Sequence, residues 1–294
     1  MSAAHRTTRS QRHGAAVTID AVTKTYPVRN GDDVMALSPT TLSIEPGEFV
    51  AVVGPSGCGK STLLSMIAGL AAPSTGRVQI DGESVVRPHP KVGVVFQNDL
   101  LLYWRTVADN ILLPVEIKGW KRDDYRARMI ALLKQVGLAD FASKFPGELS
   151  GGMRQRVAIC RALIQQPGLL LMDEPFGALD ALTREQMIID LQSMWGALDN
   201  TVLFITHSID EAVFLADRVL VMSPRPGRIA LDLRVALERP RKWRVHKDPQ
   251  FQDYVARIRA IFEREGVLAE RDVDVDEVTQ RSRAAVSVVA GEAR

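Results

Sequence analysis

Residues 54–62 read Gly54-Pro55-Ser56-Gly57-Cys58-Gly59-Lys60-Ser61-Thr62, and no other stretch constrains this chain so strongly. The string follows an apolar run, Glu48 to Val53, and precedes Ser61 to Leu70, where Leu63, Leu64, Ile67 and Ala68 keep helical spacing. That is G-x-x-x-x-G-K-[ST] in its strand–loop–helix context. Gly54, Gly57 and Gly59 permit backbone conformations that turn successive N–H groups inward, and the helix adds its positive end to the same anion site. Lys60 is placed to reach the β and γ phosphates of a nucleotide and Ser61 to hold Mg²⁺.

Such a unit is extended by further strand–helix alternation into a largely parallel sheet covered by helices. The chain supplies it from Ala16 to about Pro240. Strands are predicted at Val92 to Phe96, Leu169 to Met172, Val202 to Thr206 and Val219 to Met222, and a helix at Asp123 to Val136; Gly69 and Gly137 are helix stops. The 294 residues allow one large domain or two modest ones. With 46% hydrophobic and 24% charged residues, disordered and fibrous classes are excluded. No apolar run approaches the roughly 18 residues of a membrane span. A net charge of +2 gives no general electrostatic hold on nucleic acid. Cys58 and Cys160 form no C-x-x-C pair, which fits a reducing compartment, and the five histidines have no metal-ligand spacing.

Residues 1–15, basic and without an apolar core, read as a flexible extension. Past Pro240, Asp248 to Glu265 reads as a helix and Glu265 to Arg294 as a polar, loosely ordered tail. Asp272, Asp274 and Asp276 begin like a calcium loop, but Glu277 and Arg283 stand where its Gly and closing Glu belong.

Two more strings carry chemistry. Leu169-Leu-Leu-Met-Asp173-Glu174 is a buried strand ending in adjacent carboxylates, and alternation along a strand gives them separate tasks. Asp173 suits a Mg²⁺ contact and Glu174 the polarisation of an attacking water. Ser150-Gly151-Gly152, before the helical run Val157 to Leu163, makes a second anion nest with Ser150 as a natural cap.

Together these strings resemble the nucleotide-binding subunit of ATP-binding cassette (ABC) transporters over roughly residues 17–228. The resemblance implies a phosphate-loop NTPase core of α/β class with a helical subdomain, about residues 98–160, and an antiparallel β subdomain, all within residues 16–240; residues 241–294 would be a C-terminal helical extension and loose tail. It implies ATP and Mg²⁺ as ligands. Ser150, Gly151 and Gly152 would be the signature motif, touching ATP held by the opposite copy in a head-to-tail dimer; Met153 replaces the usual glutamine. Tyr26 looks like the aromatic that stacks on adenine, and Gln97 like the glutamine that reaches Mg²⁺ and senses the transmembrane partner. Asp180 would lie in the loop crossing the dimer interface, and His207 would be the switch histidine on the γ phosphate.

The cluster Asp99-Leu-Leu-Leu-Tyr103-Trp104 falls where this family docks a permease, although an apolar cluster is equally consistent with core. With Phe176 to Arg184 and Met222 to Arg228, it resembles the importer branch serving nitrate, aliphatic sulfonates and taurine; Tyr103 stands where that branch often has proline. The expected assembly is two copies, permease subunits and, indirectly, an extracytoplasmic solute-binding protein, at the cytoplasmic face of the inner membrane and without nucleic acid. The competing class, a soluble cassette ATPase on ribosomes or DNA, would carry a second cassette or long coiled coils.

Overall fold

The computed structural model describes residues 14–29, 31–196 and 199–268. The expectations for residues 1–13, for the Asp272 to Asp276 string and for the rest of the tail lie outside them. In chain order the elements are β1 Val17–Tyr26, β2 Val34–Ile44, β3 Phe49–Val53, α1 Lys60–Ile67, β4 Thr75–Ile80, β5 Glu83–Ser84, β6 Val92–Val95, α2 Val107–Ile117, α3 Arg122–Gln135, α4 Gly151–Leu163, β7 Leu169–Asp173, α5 Ala181–Gly196, β8 Thr201–Thr206, α6 Ile209–Leu215, β9 Arg218–Met222, β10 Ile229–Arg234 and α7 Pro249–Arg264.

Two sheets result. An antiparallel one runs β2-β1-β4-β5, and a six-stranded one runs β10-β9-β3-β8-β7-β6 with only the β9–β10 pairing antiparallel. The central strands β3, β7 and β8 are near-continuous apolar runs because helices or the second sheet cover both their faces. Alternation divides each strand between two cores. Phe49, Ala51 and Val53 join Leu170, Met172 and the faces of α2 to α7; Val50 and Val52 join Leu169, Leu171, α1 and the inward side chains Val17, Ile19 and Val22 of β1. Helix α1 is thereby held between the sheets through Leu63, Leu64, Met66 and Ile67.

Register sets the position of everything that follows. Val53 pairs with Thr206, Asp173 with Ile205 and Val95 with Met172, so the carboxyl ends of β3, β8, β7 and β6 finish side by side. The crevice beyond those ends is where open α/β sheets place ligands.

Helix α7 starts as its sequence dictates: Asp248 accepts from the Gln250 N–H at 2.8 Å and Pro249 fills the first helical position. Its Phe251, Tyr254, Val255, Ile258 and Phe262 are buried in the same core as the parallel sheet. Both cysteines are free and buried.

Candidate functional site

Beyond the strand ends lies an open cavity of about 600 Å³, lined among others by Tyr26, Ser56, Gly57, Gly59, Lys60, Ser61, Thr62, Gln97, Asp173 and Glu174. That volume is within the range of small-molecule sites. The loop 54–59 bends as its glycines allow. Gly59 has φ of 104°, and a Cβ there would stand 2.9 Å from the Ala36 carbonyl oxygen on β2. Gly54, Pro55 and Cys58 shape the loop without lining the cavity. Burial holds the Cys58 thiol above its ordinary range, so it remains protonated.

Lys60 is buried, and its ammonium donates to the carbonyls of Gly54 at 2.9 Å and Pro55 at 3.1 Å and lies 3.7 Å from Glu174 Oε1. The Ser61 hydroxyl donates to Asp173 Oδ1 at 3.1 Å. Burial pushes the Asp173 carboxyl above its usual range, with the neighbouring Glu174 charge adding to the shift and the Ser61 hydrogen bond opposing it. A hydroxyl and a partly desolvated carboxylate form a donor set for a hard cation completed by phosphate oxygens and water. No cluster of three or more metal-ligating side chains occurs among the described residues, so such an ion depends on those outside ligands.

The two carboxylates diverge for a reason that strand alternation did not predict. Strand β7 ends at Asp173, and Glu174 turns to φ 44°, a left-handed conformation costly for a residue with a Cβ. Its N–H donates to the Ile205 carbonyl at 3.0 Å, which fixes the turn on β8. Glu174 Oε2 then lies 3.3 Å from His207 Nδ1. Behind His207, the Thr206 hydroxyl donates to the buried Glu211 at 2.5 Å and accepts from the Ser208 N–H at 3.0 Å, while Ser208 caps α6. Glu211 and its burial-raised carboxyl acid were not singled out in the sequence, because a lone Glu in a helical run has no local signature.

Tyr26 is exposed at the end of β1 with Lys24 against its ring. Gln97 lies two residues past the end of β6. Ser150 accepts from the Met153 N–H at 3.3 Å, capping α4 as expected. Ser150, Gly151, Gly152, Asp180 and His207 do not line this cavity. The cluster near Gln97 divides: Leu101 is buried, whereas Leu100, Tyr103 and Trp104 are exposed, Trp104 by 76%.

The ABC transporter family model matches residues 37–177. The taurine import ATP-binding protein TauB of Rhizobium johnstonii is 49% identical over 250 residues, covering 83% of this chain and 95% of that protein. The chain belongs to the ABC transporter ATP-binding subunits. The bicarbonate transport ATP-binding protein CmpD of Synechocystis sp. is 44% identical over 245 residues, covering 82% and 86%. A post-hydrolysis dimer of the ATP-binding cassette MJ0796 with ADP and Pi superposes with a TM-score of 0.67 at 34% identity, covering 76% of this chain and all of that one. This ABC subunit is therefore a phosphate-loop α/β ATPase of the importer branch, and a soluble cassette acting on ribosomes or DNA is not favoured. No helix among the described residues is long and apolar enough to cross a membrane.

Proposed function

We propose that this chain hydrolyses ATP to energise uptake of a small anion, such as taurine, an aliphatic sulfonate or nitrate, through a separate permease. The observation that carries the hydrolytic part is the gathering of Lys60, Ser61, Asp173, Glu174 and His207 at the ends of three in-register strands. Lys60 and the loop N–H groups neutralise the phosphates; Ser61 and Asp173, with Gln97, would hold Mg²⁺, which would supply further neutralisation of the phosphate charge. Glu174 accepts a proton from water as that oxygen bonds to the γ phosphorus, and the electron pair of the breaking bond leaves on the β-phosphate oxygen. His207, held on Glu174, orients this carboxylate and meets the γ phosphate. Tyr26 offers its ring to the adenine.

The position of Ser150, Gly151, Gly152 and Asp180 outside the cavity supports their acting on ATP held by a second copy, head to tail. Residues 16–240 form the ATPase domain in this reading, with the helical subdomain at about 98–160. The exposed Leu100, Tyr103 and Trp104 beside Gln97 would receive the permease at the cytoplasmic face of the membrane, and an extracytoplasmic protein would deliver the solute. This loop is tied to the signature helix: Arg161 donates to the carbonyls of Leu100 at 2.7 Å and Asp99 at 2.5 Å, and Arg154 pairs with Asp99 at 2.9 Å. A pull on the docked loop therefore reaches α4 directly. The test is affinity purification from native membranes with mass spectrometry. Stoichiometric recovery of a multi-span permease is expected; recovery with ribosomes or DNA-processing proteins instead would overturn the transport reading.

A further inference from the structure

Arg225 lines the nucleotide cavity, although nothing in its local sequence marks it as a ligand residue. It sits in the turn between β9 and β10, far from the phosphate loop in sequence. Strand β9 pairs with β3 in parallel, Val53 beside Val221, so the turn emerges against the loop that follows β3. Three contacts fix it there. The Gly227 N–H donates to the Ala36 carbonyl at 3.1 Å, the Gly227 carbonyl accepts from the Ser38 N–H at 2.8 Å, and the buried Ser223 accepts from the Arg228 N–H at 3.2 Å. Pro224 and Pro226 restrict the backbone on either side of Arg225. The side chain is exposed at the cavity mouth, and its Nε donates to the Gly57 carbonyl at 3.3 Å.

Among the described residues Arg225 pairs with no carboxylate. The cationic side chains of the lining are Lys60 and Arg225, and the anionic ones are Asp173 and Glu174. Without Arg225 the wall would carry a net negative charge towards a ligand that is itself strongly anionic. A guanidinium on a rigid turn offers directional donors to phosphate oxygens at little ordering cost.

We propose that Arg225 is a phosphate-binding residue of this site, contributing its charge to the polyphosphate chain of ATP. The proposal rests on the reading of this cavity as the ATP site. The experiment is fluorescence titration of the full-length chain and its R225A, R225Q and R225K variants with trinitrophenyl analogues of ATP and AMP, at low and high salt. R225A and R225Q should bind the triphosphate about 10-fold more weakly, with a flatter salt dependence, while R225K keeps most of the affinity and the monophosphate responds little. Unchanged triphosphate affinity in both neutral variants overturns the proposal, as does an equal loss for both nucleotides, which would make Arg225 only a support of the loop. Failure of the unaltered chain to bind the triphosphate would overturn the ATP-site reading as well. R225Q and R225K keep the test decisive if R225A does not fold.

Discussion

Asp173 carries a charge that burial makes costly, and that cost has a defined sign. Its carboxyl lies above the ordinary range in the folded chain, so the folded state holds the proton more tightly than the unfolded state. The stability this group contributes is present below the unfolded pKa and is lost as pH rises through the folded one. Asp173→Asn should therefore raise Tm at neutral pH, with the gain vanishing at acid pH, while abolishing Mg²⁺-dependent turnover. Calorimetry across pH together with phosphate-release assays checks both halves. A lower Tm at neutral pH would mean that the Ser61 hydrogen bond outweighs burial. Lys60 presents a simpler case, because its ammonium is buried among the carbonyls of Gly54 and Pro55 beside Glu174. Lys60→Ala should weaken ATP binding about 10- to 100-fold, as expected for losing a charged hydrogen-bond donor, and titration calorimetry would read it. An unchanged affinity would remove Lys60 from the phosphate site.

At the scale of elements, the turn between β9 and β10 supports the phosphate loop. A Cβ on Gly227 would stand 1.9 Å from the Cys58 carbonyl oxygen, so the turn packs directly against the loop's outer side. Gly227→Ala forces two backbones apart and should cost about 1–3 kcal/mol in urea denaturation, with weaker nucleotide binding. Wild-type stability would show that the two segments are not locked together. This contact also shows where sequence reading stops. The strands β3, β7 and β8 were legible because burial on both faces leaves long apolar runs, and Lys60, Ser61, Asp173 and Glu174 were legible because each sits in or beside such a run. Arg225 was not, since only the pairing of β9 with β3 brings it to the site. The left-handed turn at Glu174 was equally hidden, being imposed by a hydrogen bond to β8 rather than by residue type. Trp104 shows the same limit for surfaces: helical and strand patterns could not tell which of these apolar side chains face out, and the fold buries Leu101 while it exposes Leu100, Tyr103 and Trp104.

Across the whole molecule, the described residues after Pro240, 241–268, pack into the main core through Phe251, Tyr254, Val255, Ile258 and Phe262. Arg241 is buried and donates to the carbonyls of Val213, Phe214 and Ala216 at the end of α6, and to Leu237 at 3.2 Å. Burial lowers its pKa to about 10, so it still carries its charge at neutral pH. Helix α6 is the one that follows His207, which links Arg241 to the strand end where His207 meets Glu174. Removing residues 241–294 would uncover the apolar face of α7's partner surface, at about 1.5–3 kcal/mol for each large side chain no longer buried. The truncated chain should aggregate or melt well below the full chain in a thermal scan; an unchanged melting profile would make the segment a dispensable appendage. The assembly itself is tested most directly by light scattering of Glu174→Gln with ATP and Mg²⁺, alongside phosphate release. The variant should form a stable dimer that hydrolyses ATP at least about 100-fold more slowly than wild type, as loss of a general base implies. A monomer that turns over at the wild-type rate would contradict both the role of Glu174 and the two-copy site.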